Sequence, residues 1–258
     1  MIASERMLSK LDLLVELSDN ERTAVQALPF RISRQPAKAD IVREGDRPSS
    51  SFIILEGFVA TSKNTGEGAR AITALHVPGD MPDLMSLHLP EMDCDVRAIT
   101  NCVLAFVEHD SLRKLCQEYP RLLHGLWKGT LIEAAVYREG VVNIGHRSAL
   151  ARLAHFFCEM MIRTNANQRQ ARAHFPLPLT QTDLADITGM STVHVNRSLQ
   201  CLRATNAISY DQGQVIIHRW EELLSLADFN PAYLHLPDDA LTIGTDGHLR
   251  SLAPKGGA

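Results

Sequence analysis

The side chains best suited to chemistry fall in one short stretch: Gln181, Thr182, Thr192, Val193, His194, Asn196 and Arg197. They are short or hydrogen-bonding groups gathered at the starts of two short amphipathic segments. That is the pattern needed to read base edges in the major groove of DNA. Arg197 can donate a bidentate pair to guanine, and Asn196 can read adenine or bond a phosphate. Val193 and the Thr192 methyl suit a thymine methyl. Gln181, Thr182 and His194 fall where helix starts approach phosphates.

These residues need rigid elements to position them. Thr180 stands three residues before Asp183 and opens Leu184–Ile187 as a capped helix. Gly189 supplies a turn. Ser191 then caps a second helix over 192–203, with Val195, Leu199 and Leu202 facing inward. Two short helices joined through a glycine turn form a helix-turn-helix. Ile208-Ser209-Tyr210, a turn at Asp211-Gln212-Gly213, and Gln214–Ile217 predict a β-hairpin, the wing of a winged version. Just upstream, residues 146–172 carry Arg147, Arg152, Arg163, Arg169 and Arg172 against the single acid Glu159, which predicts a phosphate-facing side.

Further upstream, Leu8, Leu11, Leu14, Val15 and Leu17 recur at helical spacing, and Ser18 with Glu21 forms a capping box. From residue 30 to 107 the pattern changes to short apolar runs closed by turn residues. Residues 52–55, 58–61, 71–75, 96–99 and 103–107 read as strands of an all-β roll, barrel or sandwich. Helical periodicity returns at Asp110. Pro120 opens a long helix on which Leu123, Trp127, Thr130, Ala134, Tyr137, Val141 and Ile144 alternate at steps of four and three. A seam of that length predicts a homodimer interface; packing within its own domain is the alternative. A further helix runs from Leu150 through Met161, and Thr164–His174 reads as a linker. The fold class is α+β.

Composition narrows the function classes. The chain has 258 residues, enough for about two domains, with 45% hydrophobic and 22% charged residues. A net charge of −4 excludes a wholly basic nucleic-acid coat but leaves room for one basic face. Five scattered cysteines argue against a disulfide framework, a zinc knuckle and an iron–sulfur run. Cys102, Cys116, Cys158 and Cys201 fall in regular elements and are expected in the core, and Cys94 is expected to be an inert loop residue. His76, His88, His109 and His124 form no ligand-spaced set, so no metal is expected. No nucleophile–base pair and no phosphate-cradling glycine loop is present, so an enzyme is not expected. No apolar run reaches the roughly 18 residues of a membrane span. The expectation is a cytoplasmic protein without membrane partners.

The stretch LTQTDLADITGMSTVHVNRSLQCLR, residues 179–203, resembles the helix-turn-helix of bacterial catabolite activator and fumarate–nitrate (Crp/Fnr) transcription regulators. The stretch from Gly45-Asp46 through Gly57 to Pro78-Gly79-Asp80 resembles their cyclic-nucleotide-binding-like β-roll. The resemblance spans residues 8–235. It implies a β-roll sensor over 1–119, a dimerisation helix and hinge over 120–163 and a winged helix-turn-helix over 164–235; beyond it, the Gly, Asp, Thr and Lys content predicts a flexible tail over 236–258. It also implies a homodimer on a two-fold-symmetric DNA operator, with RNA polymerase as a further partner; the domain order itself suggests that a sensor would act by movement about a hinge near residues 143–147.

The chain departs from the family pattern at the effector site. Where relatives carry a Gly-Glu-Leu phosphate helix, this chain has Met81-Pro82-Asp83-Leu84; Pro82 lacks an amide donor, and Asp83 keeps the acid that serves relatives as a ribose acceptor. The family's phosphate-binding arginine falls near Asp93-Cys94-Asp95, whose acids repel a phosphate, with Arg97 the nearest arginine. Tyr137-Arg138 replaces a base-contacting Thr-Ser pair. Met81, Asp83, Leu84, Cys94, Tyr137 and Arg138 therefore outline a candidate effector pocket; Met81, Met85 and Met92 either line it or simply pack in the core. Cyclic AMP in the usual pose is not expected, no cofactor is expected, and the effector stays open. Val193 stands where relatives place a base-reading glutamate, so their operator sequence does not transfer. Two other readings remain: a regulator controlled by its abundance alone, and a ligand-binding or protein-interaction module with a vestigial DNA domain.

Overall fold

In a computed structural model the chain divides into two compact units, Met1–Ala134 and Ala135–Ala258. The structure describes residues 2–165, 174–236, 241–243 and 249–251.

The first unit opens with α1 (Ile2–Leu11) and α2 (Asp19–Gln26). Ser18 and Glu21 form the expected reciprocal cap. Seven strands follow: β1 (Arg31–Gln35), β2 (Asp40–Val42), β3 (Ser50–Glu56), β4 (Val59–Asn64), β5 (Arg70–His76), β6 (Asp95–Ala98) and β7 (Cys102–Glu108). They build two antiparallel sheets, ordered β1-β7-β3 and β2-β6-β4-β5. β3 is buried on both faces, which explains its unbroken apolar run. Phe52 and Ile54 pack into one core with Val59, Val96, Ala98 and Leu104. Ile53 and Leu55 point the other way, into a core with Met7, Leu11, Leu112 and Leu122. Gly57 turns the chain from one sheet to the other at φ 90°, and a Cβ there would stand 2.5 Å from the Asn101 carbonyl oxygen, so only glycine fits.

The helix α3 (His109–Glu118) leads into α4 (Pro120–His146). Gly125 lets α4 approach α1, since a Cβ would meet Leu11 and Val15 at 3.1 Å. Lys128 Nζ donates to the Leu14 carbonyl at 2.9 Å. With Leu122 and Leu126 buried on that side, Leu123, Trp127 and Leu131 are left exposed. Val141, Val142 and Ile144 are exposed further along the helix. Thr130, Ala134 and Tyr137 of the same seam are half-buried.

The second unit contains the end of α4, α5 (Ala149–Asn165), β8 (His174–Pro176), α6 (Gln181–Thr188), α7 (Thr192–Ala204), β9 (Ile208–Asp211), β10 (Gln214–Ile217) and α8 (Trp220–Ala227). A short 3-10 turn, Pro231–Leu234, follows. β8, β10 and β9 form one antiparallel sheet. Leu153, Phe157 and Met160 of α5 are buried, as are Leu184, Val195, Leu199, Leu202, Val215 and Leu223. The Tyr210 ring stands 5.3 Å from Phe157, and its hydroxyl is within hydrogen-bond distance of the carbonyls of Leu177 and Leu179.

Arg152 joins the helix ends. Its guanidinium donates to the carbonyls of Asn143 (3.1 Å), Ile144 (2.6 Å) and Arg147 (3.2 Å) at the close of α4, and to Thr188 (2.8 Å) at the close of α6. These are the orphan carbonyls of helix C-termini, where a cation is favoured.

Four sequence expectations are corrected. Arg147, Arg152 and Arg163 do not form a phosphate-facing side. Arg152 is committed as above, Arg147 pairs with Glu139 at 2.7 Å, and Arg163 pairs with Glu159 at 2.9 Å. Arg169 and Arg172 lie outside the described residues. Cys201 is exposed rather than in the core, because it falls on the outer side of α7. The linker read from Thr164 is shorter, since α5 runs to Asn165 and β8 begins at His174. The tail read as flexible from residue 236 contains a pairing of β11 (Leu241–Ile243) with β12 (Leu249–Ser251); its other residues beyond Leu236 lie outside the described residues.

Arg152→Ala leaves four helix-end carbonyls without their donor. It is expected to cost about 2–4 kcal/mol in urea unfolding of the full chain, whereas a loss no larger than that of an exposed surface substitution would show that water replaces the guanidinium without penalty.

Candidate nucleic-acid interface

Local sequence sets both helices of the turn. Thr180 caps α6, its hydroxyl accepting from the Asp183 amide at 3.1 Å while the Asp183 carboxylate accepts from the Thr180 amide at 3.0 Å. Gly189 ends α6 at φ 62°, a left-handed conformation suited to glycine, and its amide donates to the Ala185 carbonyl. A Cβ at this position would stand 3.3 Å from Ile144 Cγ2. Ser191 then caps α7, accepting from the His194 amide at 3.3 Å.

The inner side of α7 carries Val195, Ser198, Leu199 and Leu202. Its outer side carries the expected reading groups. Thr192, Val193, His194 and Arg197 are exposed, Val193 at 72%, and Asn196 is half-buried. Gln181 and Thr182 are exposed in the first turn of α6. An apolar side chain that open, one helical turn before an arginine, is placed to meet a surface that is itself partly apolar.

The wing follows the predicted hairpin. Gln212 and Gly213 have φ of 47° and 72°, the paired positive values of a tight hairpin turn. Arg203 Nη2 donates to the Tyr210 carbonyl at 2.6 Å, tying α7 to the wing. Sequence reasoning missed the third strand, β8. Its signal was the alternation through His174-Phe175-Pro176-Leu177-Pro178-Leu179, in which Phe175, Leu177 and Leu179 are buried; the two prolines concealed it.

In the first unit, Asp83 is fully buried. Its Oδ1 accepts from the Phe52 amide at 3.1 Å, and Oδ2 has no partner. Burial pushes its pKa up to about 8, against the lowering effect of its backbone hydrogen bonds; Glu133 adds to the rise. Met81 and Leu84 are half-buried against the helix-side core. Cys94 is buried among the strands, and burial, reinforced by Asp93, pushes its thiol up to about 12. Met92 packs in the same core. Arg97 sits in β6 and donates from Nε to Asp40 Oδ1 at 2.6 Å. Asp95 accepts from the Glu44 amide and from Asn64. His76 is buried near Thr61, with Nε2 3.3 Å from the Thr61 hydroxyl and 3.9 Å from Glu133. Tyr137, half-buried, and Arg138, exposed, belong to the second unit. Among the described residues no group of three His, Cys, Asp or Glu could hold a metal ion. No helix among them is long and apolar enough to cross a membrane.

Comparison with known proteins agrees with this geometry. Residues 151–226 match the model of the Crp-like helix-turn-helix domain, and residues 34–119 match that of the cyclic nucleotide-binding domain. The chain is 24% identical to the regulatory protein HlyX of Actinobacillus pleuropneumoniae over 216 residues, 84% of this chain and 90% of that protein. It is 25% identical to the cAMP-activated global transcriptional regulator CRP of Salmonella typhimurium over 192 residues, covering 72% and 89%. Among solved structures, FixK2 from Bradyrhizobium japonicum shares the fold with a TM-score of 0.69 at 23% identity, covering 77% of this chain and 98% of that one. Two domain matches in this order, a capped helix-turn-helix with an open outer face, and regulators as relatives along most of the chain lead to one conclusion: the protein belongs to the Crp/Fnr family of DNA-binding transcription regulators.

Proposed function

We propose that the protein acts as a homodimer on a two-fold-symmetric operator, with one α7 in the major groove of each half-site. The observation that carries this is the outer side of α7. Arg197 has no hydrogen bond or ion pair within the described residues, and it shares that side with exposed Thr192, Val193 and His194. Arg197 reads guanine, Val193 and the Thr192 methyl meet thymine, and Asn196 reads adenine or holds a phosphate. Gln181, Thr182 and His194 hold the backbone. The dimer forms along α4 through Leu123, Trp127, Thr130, Ala134, Tyr137, Val141 and Ile144. The exposure of Trp127 at 59% and Val141 at 73% supports this. We place the sensor in the β-roll of the first unit, the dimer contact on α4 and the DNA reader in the winged second unit. The protein works in the cytoplasm, with RNA polymerase as a partner, and is not an enzyme.

The β-roll does not take cyclic AMP in the usual pose on this reading. Arg97, the nearest arginine to the phosphate position in the sequence, is committed to Asp40, and Lys63, which reaches the Asp93 carbonyl, is paired with Glu44. Asp83 is buried, its pKa is pushed up to about 8 and its Oδ1 accepts from the Phe52 amide, so it is poorly suited to serve as an ionised acceptor for ribose hydroxyls. Of the expected effector residues, Met81, Asp83, Leu84 and Cys94 lie in the first unit, where a buried Asp83 with a raised pKa suits a neutral effector better than an anion.

Selection of bound sequences from random DNA should yield an inverted repeat. Against that operator, Arg197→Ala is expected to cost about 1–3 kcal/mol per half-site and to relax preference at one base position; equal loss on every sequence would make Arg197 a phosphate contact instead. Trp127→Asp is expected to leave the fold intact and to shift sedimentation from dimer to monomer, and an unchanged dimer would move the interface off this seam. The raised pKa of Asp83 means the folded state holds a proton that the unfolded chain has lost between about pH 4 and pH 8. Its contribution is fully present below that window and is lost as pH rises through it. Asp83→Asn cannot ionise, so its melting temperature should rise relative to the parent from about pH 4 to about pH 8 and stay level above. Parallel profiles would place an ionised Asp83 in contact with water.

A further inference from the structure

The segment after α8 lies beyond the residues matched by the helix-turn-helix model, yet it is built into the second unit. Asp228 ends α8 in a left-handed conformation at φ 47°. Asn230 Oδ1 accepts from the Ala232 amide at 3.0 Å and starts the turn Pro231–Leu234, which buries Leu234. That path returns two rings to α5. Phe229 meets His155 edge-on at 4.8 Å, and Tyr233 stacks on the same imidazole at 5.9 Å. The Tyr233 hydroxyl donates to Glu159 Oε2 at 2.8 Å.

The other side of this cluster is the junction between α4 and α5. His155 Nε2 lies 3.2 Å from Glu139 Oε1 of α4. The same carboxylate oxygen pairs with Arg147 at 2.7 Å, and Arg147 Nη2 donates to the Asp228 carbonyl at 3.2 Å. The contacts close a ring from α4 through the junction to the segment, on to α5 and back to α4. A segment serving only as core would need its rings and Leu234. This one also spends polar contacts on Arg147, at the break between two helices, and on Glu159 of α5.

We propose that Asp228–Leu234 is a strap holding the α4–α5 junction in one geometry, with Phe229 and Tyr233 as positioning residues for DNA binding. A fixed junction matters to a protein that must present two recognition helices at one separation. The inference therefore rests on the dimeric, two-half-site reading above.

The test uses the full-length protein and its selected operator, together with operators whose half-sites are moved together or apart by one base pair. The variants are Tyr233→Phe, which removes the bond to Glu159 and keeps the stacked ring, and Phe229→Leu, which removes the edge contact and keeps an apolar side chain. Both are expected to keep the preferred half-site sequence, to reduce spacing discrimination about fivefold, and to speed amide hydrogen exchange over residues 143–149. A loss equal at every spacing, or unchanged spacing preference with unchanged exchange, overturns the strap. If the parent protein itself binds a lone half-site as tightly as the pair, the dimeric reading fails instead, and exchange at the junction decides the strap by itself.

Discussion

A helix that stops inside a protein leaves carbonyls pointing at nothing, and the second unit meets that demand twice with one side chain. The Arg152 fork serves three carbonyls at the close of α4 and one at the close of α6. A planar guanidinium has enough donors in fixed directions to do this; an ammonium does not. Because Thr188 is the last residue of α6, the turn that follows is placed relative to the end of α4. Gly189 completes the fit, since its φ of 62° favours glycine and a Cβ would crowd Ile144 at 3.3 Å. Ser191 and α7 follow directly, so the direction in which Arg197 and Val193 point depends on this joint.

The first unit rests on a different constraint. β3 has an apolar core on each face, so its residues alternate between two interiors rather than between interior and water. Polar groups drawn into those interiors find partners there: one oxygen of Asp83 a backbone amide, and Ser51 and Ser86 the buried ring of His109. The charged groups at the rim pair among themselves, Asp40 with Arg97, Lys63 with Glu44 and Asp80 with Lys10. Arg97, the arginine nearest in sequence to Asp93–Asp95, is among the charges paired within the roll.

The helix-turn-helix was legible because each of its signals is local. A cap acts over three residues, a left-handed glycine acts at one, and the inward side of α7 repeats every three to four. The five apolar strands were legible for the same reason. β1 and β2 were missed because Arg31–Gln35 is polar and Asp40–Val42 is short, and both are strands through partners distant in sequence, Cys102–Phe106 and Val96–Arg97. β8 was hidden by its prolines. The arginines misled because a charge is visible in a sequence while its partner is not. Arg147 and Arg163 look free to face phosphates until Glu139 and Glu159 are placed beside them.

By itself, the sequence determined the order of the helices up to α7 and of the five apolar strands, the capped helix pair with its outward Thr192, Val193, His194 and Arg197, and the family. These follow from periodicity, capping and turn chemistry, which reach no further than a few residues. Only the tertiary structure decided which charges are paired internally, that Asp83 is buried with a raised pKa, that Cys201 is exposed, and that Phe229 and Tyr233 return to His155. Each of those depends on burial or on a partner far away in the chain, and both are properties of packing that no local pattern encodes.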